Sequence, residues 1–455
     1  MDRPLSPLPP LPAGLVFLLA FSYFAAWAVL RPPLQTPDEP QHLMRTTSVL
    51  RQPWLGDGRH FPLDRAYLNP LAYDTPPPID KLFFQPFNAL TNDEIRDVRQ
   101  TAWMREGAPL PDYERAIASY PTPFYLVLFA MAEPVTRVGA LSPWDASYVY
   151  RFATAALAAA LWACAWRVLR AIPALSPWRG PLFAFVVLNP MLAFMSSGVN
   201  PDAVNIPLCT LAVLFAWRLL TEGEGTTGFV LSLLGSMLTK PSGLQLGVTL
   251  TAVIAAMVLL RQLDRRHAVR VIGPMAACAV LAVVCFYAWS PPRFMAGGPS
   301  ADSLTQYLAR RWDQLPWMWR TYWGQLGWLD YAAPSGWYLL MLLAVVANVA
   351  CVLWRPAVST QLRLFLGLLW LVFAGLTFAG EYRYLAEAGY IFQGRYLLPA
   401  GIGLGVILLH RVAPARVVML ALIVLLNLAL VHATVQRYFA DDWAGVVAAL
   451  PFRQP

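Results

Sequence analysis

Charged residues are scarce in this chain: 34 basic and 26 acidic side chains among 455, against 58% hydrophobic. That balance excludes a soluble globular protein and a disordered one alike, and puts the chain in a bilayer. Alternation of apolar and polar residues is missing too. Unbroken apolar runs such as 248–260 stand in its place, which excludes a transmembrane β-barrel and leaves helical spans. Cysteine is sparse. The five (Cys164, Cys209, Cys278, Cys285 and Cys351) all lie in apolar stretches and no two form a CxxC pair, so neither disulfides nor thiolate metal sites are expected. Lysine is nearly absent, with only Lys81 and Lys240. The net charge of +8 is arginine scattered through short loops, which suits orientation by positive-inside charge and leaves no footprint for nucleic acid.

A helical span needs about 20 mainly apolar residues. Segments of that character run over Leu15–Leu30 and roughly 147–168, 181–196, 202–220, 227–241, 242–260, 271–290, 336–354, 363–380, 397–410 and 416–435. The fold class is therefore all-α integral membrane, with about eleven transmembrane helices, those near 181–196, 227–241 and 397–410 being short. The first segment is read as an uncleaved span despite a small-x-small pattern at Ala26-Trp27-Ala28. After it comes a polar stretch from Arg31 to Tyr120 with twelve acidic and ten basic residues, a balance typical of an exported loop. Loops with Arg167, Arg170, Arg179, Arg261, Arg265, Arg266, Arg270, Arg355, Arg363, Arg411 and Arg416 belong in the cytoplasm, together with the N-terminus. For that alternation to hold, 121–141 must not cross. Its apolar run is only Phe124–Ala132, broken by Glu133, Pro134 and Arg137, so a juxtamembrane helix is expected there. The chain reads as one transmembrane domain over 1–435, followed by a short exported tail, 436–455.

Polar residues near the membrane need individual explanations. Asp38 and Glu39, flanked by Pro37 and Pro40, are adjacent carboxylates next to the first span; mutual repulsion and partial burial raise a carboxyl pKa and suit it to accept a proton. The alternative is a helix cap, since Asp at a helix start with proline nearby is ordinary. On a helix His42 would share their face and complete a divalent-metal site, against the simpler reading of a hydrogen-bonded histidine. Asn200 and Asp202 sit at the outer end of another span, where Asp202 either faces a cavity or caps the helix that follows. Lys240 and Arg395, the latter in Gln393-Gly394-Arg395-Tyr396, are cations on the face that the orientation rule keeps poor in them, and a lipid-borne phosphate is an economical reason for both. For Arg383, an ion pair with Glu381 or Glu387 is expected instead. Six tryptophans between Trp312 and Trp337 read as an interfacial belt, with a sugar-stacking platform as the alternative.

The order of these segments, PDEPxH after the first span and then NPDA, TK and QGRYLLP, resembles a family of bacterial multi-span proteins long grouped as a domain of unknown function and placed in the GT-C superfamily of membrane glycosyltransferases. The resemblance runs from about Leu15 to Val435. By architecture the chain is distantly similar to protein O-mannosyltransferases and lipid A aminoarabinose transferases. This resemblance implies that Asp38, with Glu39 beside it, is the catalytic base or acceptor-binding acid, and that Tyr120–Tyr125 precedes the juxtamembrane helix. It implies that Arg151 opens the next span and that Lys240 and Arg395 hold the carrier phosphate. Arg151, Asn200, Asp202, Gln393, Tyr396 and His42 are further substrate-binding candidates. The expected function is transfer of a sugar, with inversion, from a polyprenyl-phosphate carrier to a glycan, lipid or protein acceptor on the exported face of a bacterial inner membrane. No cofactor is required, although a divalent metal is compatible. The competing expectations are a flippase or transporter for lipid-linked oligosaccharides, and an O-antigen polymerase or ligase.

Overall fold

The computed structural model describes residues 11–33, 35–47, 122–289, 303–327, 329–385 and 393–439. In chain order the helices are α1 (Ala13–Val29), α2 (Glu39–Thr47), α3 (Thr122–Val138), α4 (Pro143–Ala171), α5 (Arg179–Val187), α6 (Pro190–Ser196), α7 (Asp202–Thr221), α8 (Thr226–Thr239), α9 (Pro241–Leu259) and α10 (Arg265–Trp289). There follow α11 (Leu304–Asp313), α12 (Leu315–Trp323), the two-residue strands β1 (Gln325–Leu326) and β2 (Tyr331–Ala332), α13 (Ser335–Trp354), α14 (Thr360–Gly380), α15 (Gly401–Leu404) and α16 (Ala413–Phe439). Tight 3-10 turns on both sides extend α15 into a continuous apolar segment, Gly394–Leu408.

Local sequence accounts for these boundaries. Ser142 caps α4 by accepting the Asp145 N–H at 3.2 Å, and Pro143 fills the first helical position, where no N–H is needed. Along α4 the alanines Ala155, Ala158 and Ala159 are wholly buried, and their small side chains let α1 lie close, with Phe24 and Trp27 inserted. Pro190 cannot continue α5. The chain bends by 63° there, and Asn189 caps the new helix α6 by accepting the Leu192 N–H at 3.1 Å. Among the candidate spans α7 is the most enclosed, packed against α4, α8 and α10. Between α9 and α14, Gln245 donates to the Phe373 carbonyl at 2.9 Å and to Thr377 Oγ1 at 2.6 Å, a polar staple inside an apolar contact.

Among the described residues seven helices are long and apolar enough to cross a membrane (α4, α7, α9, α10, α13, α14 and α16), or eight if the bent α5–α6 pair is one span. The expectation of eleven is not reached by this measure. The other three expected spans coincide with shorter apolar segments, α1, α8 and 394–408. The ends of the helices sort into two groups. At one end Arg355 and Arg411 share a backbone bond of 3.0 Å, Arg416 stacks over Trp178 at 4.4 Å, and Gln361 reaches the Gln262 carbonyl at 3.0 Å. At the other end the turn after α1 meets α4, α6 and the start of α7 through Arg31, Arg151 and Asn200. This grouping matches the two kinds of loop read from the sequence. Both ends of α3 belong to the second group: Tyr125 touches His42, and Glu133 Oε2 accepts the Tyr150 O–H at 2.5 Å in the first turns of α4. α3 therefore lies along that face.

Three expectations need amendment or fall outside the described residues. Glu381 pairs with Arg311 and accepts the Tyr307 O–H at 2.6 Å, while Glu387, the other carboxylate expected beside Arg383, lies outside the described residues. The tryptophan group divides: Trp312 is exposed, whereas Trp323 is wholly buried edge-on against Phe185 at 6.0 Å. Most of the first loop (48–121), Glu387 and the tail from 440 onward lie outside the described residues.

Candidate functional site

Two layers of charge are built where the turn after α1 meets α4, α7, the α8–α9 turn and the start of 394–408. The deeper layer is Glu39 and Arg151, both fully buried. Arg151 donates through Nε and Nη2 to the two Glu39 oxygens at 2.6 and 2.7 Å, through Nη1 to the carbonyls of Ala28 and Arg31 at 3.0 and 2.9 Å, and through Nη2 to that of Pro32 at 2.8 Å. Glu39 also accepts the backbone N–H of Thr36 at 3.1 Å and of Val199 at 3.2 Å. Burial pushes the Glu39 carboxyl up, but the Arg151 guanidinium and its hydrogen bonds, with Arg31 beyond, outweigh this and hold it below the usual carboxylate range. Nothing in this arrangement leaves either group for a substrate. Glu39, expected beside the base, and Arg151, expected at the substrate, are thus paired with each other and buried behind Asp38.

Asp38 is different. It directly precedes α2, its carbonyl accepting the His42 N–H at 3.0 Å, and its backbone lies in the left-handed region at φ 63°. Asp and Asn tolerate that conformation better than other residues with a Cβ, and such strain gathers at functional sites. The carboxylate, 38% exposed, faces Arg395, whose Nη2 is 3.6 Å from Oδ2. Arg395 is nearly buried; its Nη1 reaches Met195 Sδ at 3.5 Å, while its Nε has no hydrogen-bond partner among the described residues.

Lys240 and Asp202 complete the outer layer. Lys240 Nζ is 2.7 Å from Asp202 Oδ1 and 5.8 Å from the centre of the Tyr396 ring, which the Arg395 guanidinium approaches at 5.5 Å. The Lys240-Pro241 turn is tight enough to need glycine at 243, where a Cβ would stand 2.4 Å from the Met237 nitrogen. Asp202 opens α7, and its N–H donates to Asn200 Oδ1 at 2.8 Å. Asn200 also donates to the Pro37 carbonyl at 3.2 Å, which ties the α6–α7 connection to the Asp38 turn. His42 is buried with Nδ1 2.9 Å from the Tyr125 hydroxyl. Burial lowers its pKa to about 4; Lys240 and Arg395 add to this, while Asp38 and Asp202 oppose it. The imidazole is therefore neutral near pH 7. Gln393 keeps its side-chain oxygen buried without a partner.

The structure thus brings Asp38, Asp202, Lys240, Arg395, Tyr396 and His42 into one cluster, and puts Glu39, Arg151 and Asn200 behind it. Tyr125 and Met195 touch this group, and the sequence assigned neither. Tyr125 carried a weak signal, its proline-rich approach; Met195 carried none. Among the described residues no three His, Cys, Asp or Glu side chains gather closely enough to hold a metal ion. Beside the cluster, across the 394–400 strip, a groove of about 720 Å³ runs between α13 and α14, lined by Leu315, Tyr322, Leu339, Trp370, Phe378 and Gly394, with Arg320 as its one charged group.

Fold and site together define a polytopic helical membrane protein with a half-buried acid, Asp38, facing Arg395 beside a second ion pair, Asp202 and Lys240, at one end of the bundle. The chain belongs to the family described as predicted membrane protein (DUF2142), whose model matches residues 21–403. A comparison with curated protein sequences finds no match. Among solved structures it is similar to ArnT from Cupriavidus metallidurans bound to undecaprenyl phosphate, at 13% identity and a TM-score of 0.43, over 89% of this chain and 59% of that one. The chain thus spans less than two thirds of the length of that protein.

Proposed function

We propose that the protein is a membrane glycosyltransferase of GT-C type that moves a sugar from a polyprenyl-phosphate carrier to a hydroxyl of a glycan, lipid or protein, at the exported face of a bacterial inner membrane. The observation that carries this reading is the charge cluster: the Asp38 carboxylate 3.6 Å from Arg395, with Lys240 reaching the same Tyr396 ring. A base beside preplaced cations is what glycosyl transfer from a phosphate requires. The acceptor O–H lies against Asp38, which takes the proton as the oxygen attacks the anomeric carbon. The bond from that carbon to the phosphate oxygen breaks, and the phosphate leaves with the electron pair, stabilised by Lys240 and Arg395. Charge gathers on the sugar as an oxocarbenium ion, and a single displacement inverts the anomeric centre. The neighbouring apolar groove suits the isoprenoid chain, since Gly394 lines it and Arg395 is the next residue. The segment 1–435 acts as one transmembrane domain in this reading.

The test is turnover by the purified protein in lipid nanodiscs with a polyprenyl-phosphate sugar. Asp38→Asn is expected to lower transfer by roughly 10²–10⁴-fold while the donor still binds, and Lys240→Ala and Arg395→Ala to weaken donor binding by about tenfold or more. Free polyprenyl phosphate is the expected product. Normal turnover by Asp38→Asn removes the base, unchanged binding in both cation variants removes the phosphate site, and release of pyrophosphate indicates a polymerase or ligase instead.

A further inference from the structure

Among the described residues the outer layer of the cluster is electrically balanced. Asp38 stands against Arg395 and Asp202 against Lys240, so two carboxylates offset two cations. Lys240 comes with its countercharge already in contact, at 2.7 Å, on a carboxylate only 8% exposed. That carboxylate has little room to retreat. Asp202 is the first residue of α7, its N–H is engaged by Asn200, and Asn200 is itself tied to Pro37. A phosphate drawn to Lys240 therefore meets Asp202 as a fixed competitor.

We infer that Asp202 sets which phosphate the site keeps: it tolerates a singly charged phosphodiester and expels a doubly charged phosphomonoester. The inference rests on the transferase reading above, and it gives that reaction a means of product release. A sugar donor linked through phosphate is a diester with one negative charge. The carrier left behind is a monoester whose second ionisation falls near pH 6, so at neutral pH it carries nearly two charges. Repulsion from a fixed carboxylate grows in proportion to the ligand's charge. The cost to the departing carrier is thus about twice the cost to the donor. Two cations without this acid would hold the product more tightly than the substrate.

The experiment measures binding of farnesyl phosphate, a monoester, and of its methyl diester to the full chain in phosphatidylcholine nanodiscs at pH 8. Asp202→Asn, which keeps the shape and the backbone bond to Asn200, is expected to tighten monoester binding by about tenfold and diester binding by distinctly less. Asp202→Glu is expected to return the ratio of the two affinities to that of the unaltered protein. The inference is overturned if Asp202→Asn weakens both ligands, or tightens both equally, or if Asp202→Glu behaves as Asp202→Asn does. Lys240→Ala separates the two readings. If it leaves both affinities unchanged, the phosphate site itself is wrong; if it weakens both while Asp202→Asn gains nothing, only the role of Asp202 falls.

Discussion

Arginine at position 151 follows from donor arithmetic. Two N–H groups go to Glu39 and three to the carbonyls of Ala28, Arg31 and Pro32; an ammonium has three donors and no fork to spread them. The pair fixes the turn, and the turn aims Asp38. His42 offers a measurable consequence. With its folded pKa about 4 and an ordinary value of 6.5, the unfolded chain binds the extra proton first as pH falls. Stability linked to His42 is whole above pH 6.5 and is lost as pH drops through about 4, by an amount on the order of 3 kcal/mol. Thermal unfolding of the solubilised protein across that window should slope less steeply for His42→Gln; an identical slope would show that the imidazole is not held neutral. Of this site, the acid pair and the lone lysine were legible in the sequence because charge beside an apolar run is conspicuous. Which of two adjacent carboxylates would be sealed was not legible, since Arg151 decides it from 112 positions away.

Helix positions followed hydropathy closely, because a bilayer imposes both the length and the composition of what crosses it. Where the reading went astray, tertiary contacts had replaced length as the determinant. The segment 394–408 is shorter than a full span and wound partly as 3-10 helix, and it packs into the bundle beside α12. Gly394 marks the contact: a Cβ there would lie 2.0 Å from the Met318 carbonyl oxygen, and its N–H donates to Thr321 Oγ1 at 2.7 Å. Gly394→Ala must push α12 from the segment that carries Arg395. The expected result is a loss of about 1–3 kcal/mol of stability together with weakened donor binding, read from unfolding and binding curves; a variant as stable and as avid as the parent would mean the two elements are not in register. Glu133, Pro134 and Arg137 interrupt the apolar run of α3, which is the sequence basis for reading it as a juxtamembrane helix.

At the scale of the molecule, the arginine-rich ends and the Asp38 cluster occupy opposite ends of the bundle, and the proposed orientation can be read chemically. In a background without the native cysteines, a membrane-impermeant maleimide should label Thr305→Cys in intact cells and Glu224→Cys only after the membrane is opened, both positions being exposed. The reverse pattern would turn the protein over. Convergence of residues 38, 202, 240 and 395 was expected from their common sidedness, but its geometry came only from the packing of α7 against its neighbours, which no local pattern encodes.

Synthesis runs from the N-terminus, and membrane helices are delivered in the order they are made. Asp38 emerges early and its guanidinium partner more than 350 residues later. A nascent chain therefore carries the acid long before the cation that faces it, and the proposed site stays unfinished until the 394–408 segment has docked. A ribosome stalled short of that point would leave a membrane passenger without the paired charges on which the proposed transfer depends.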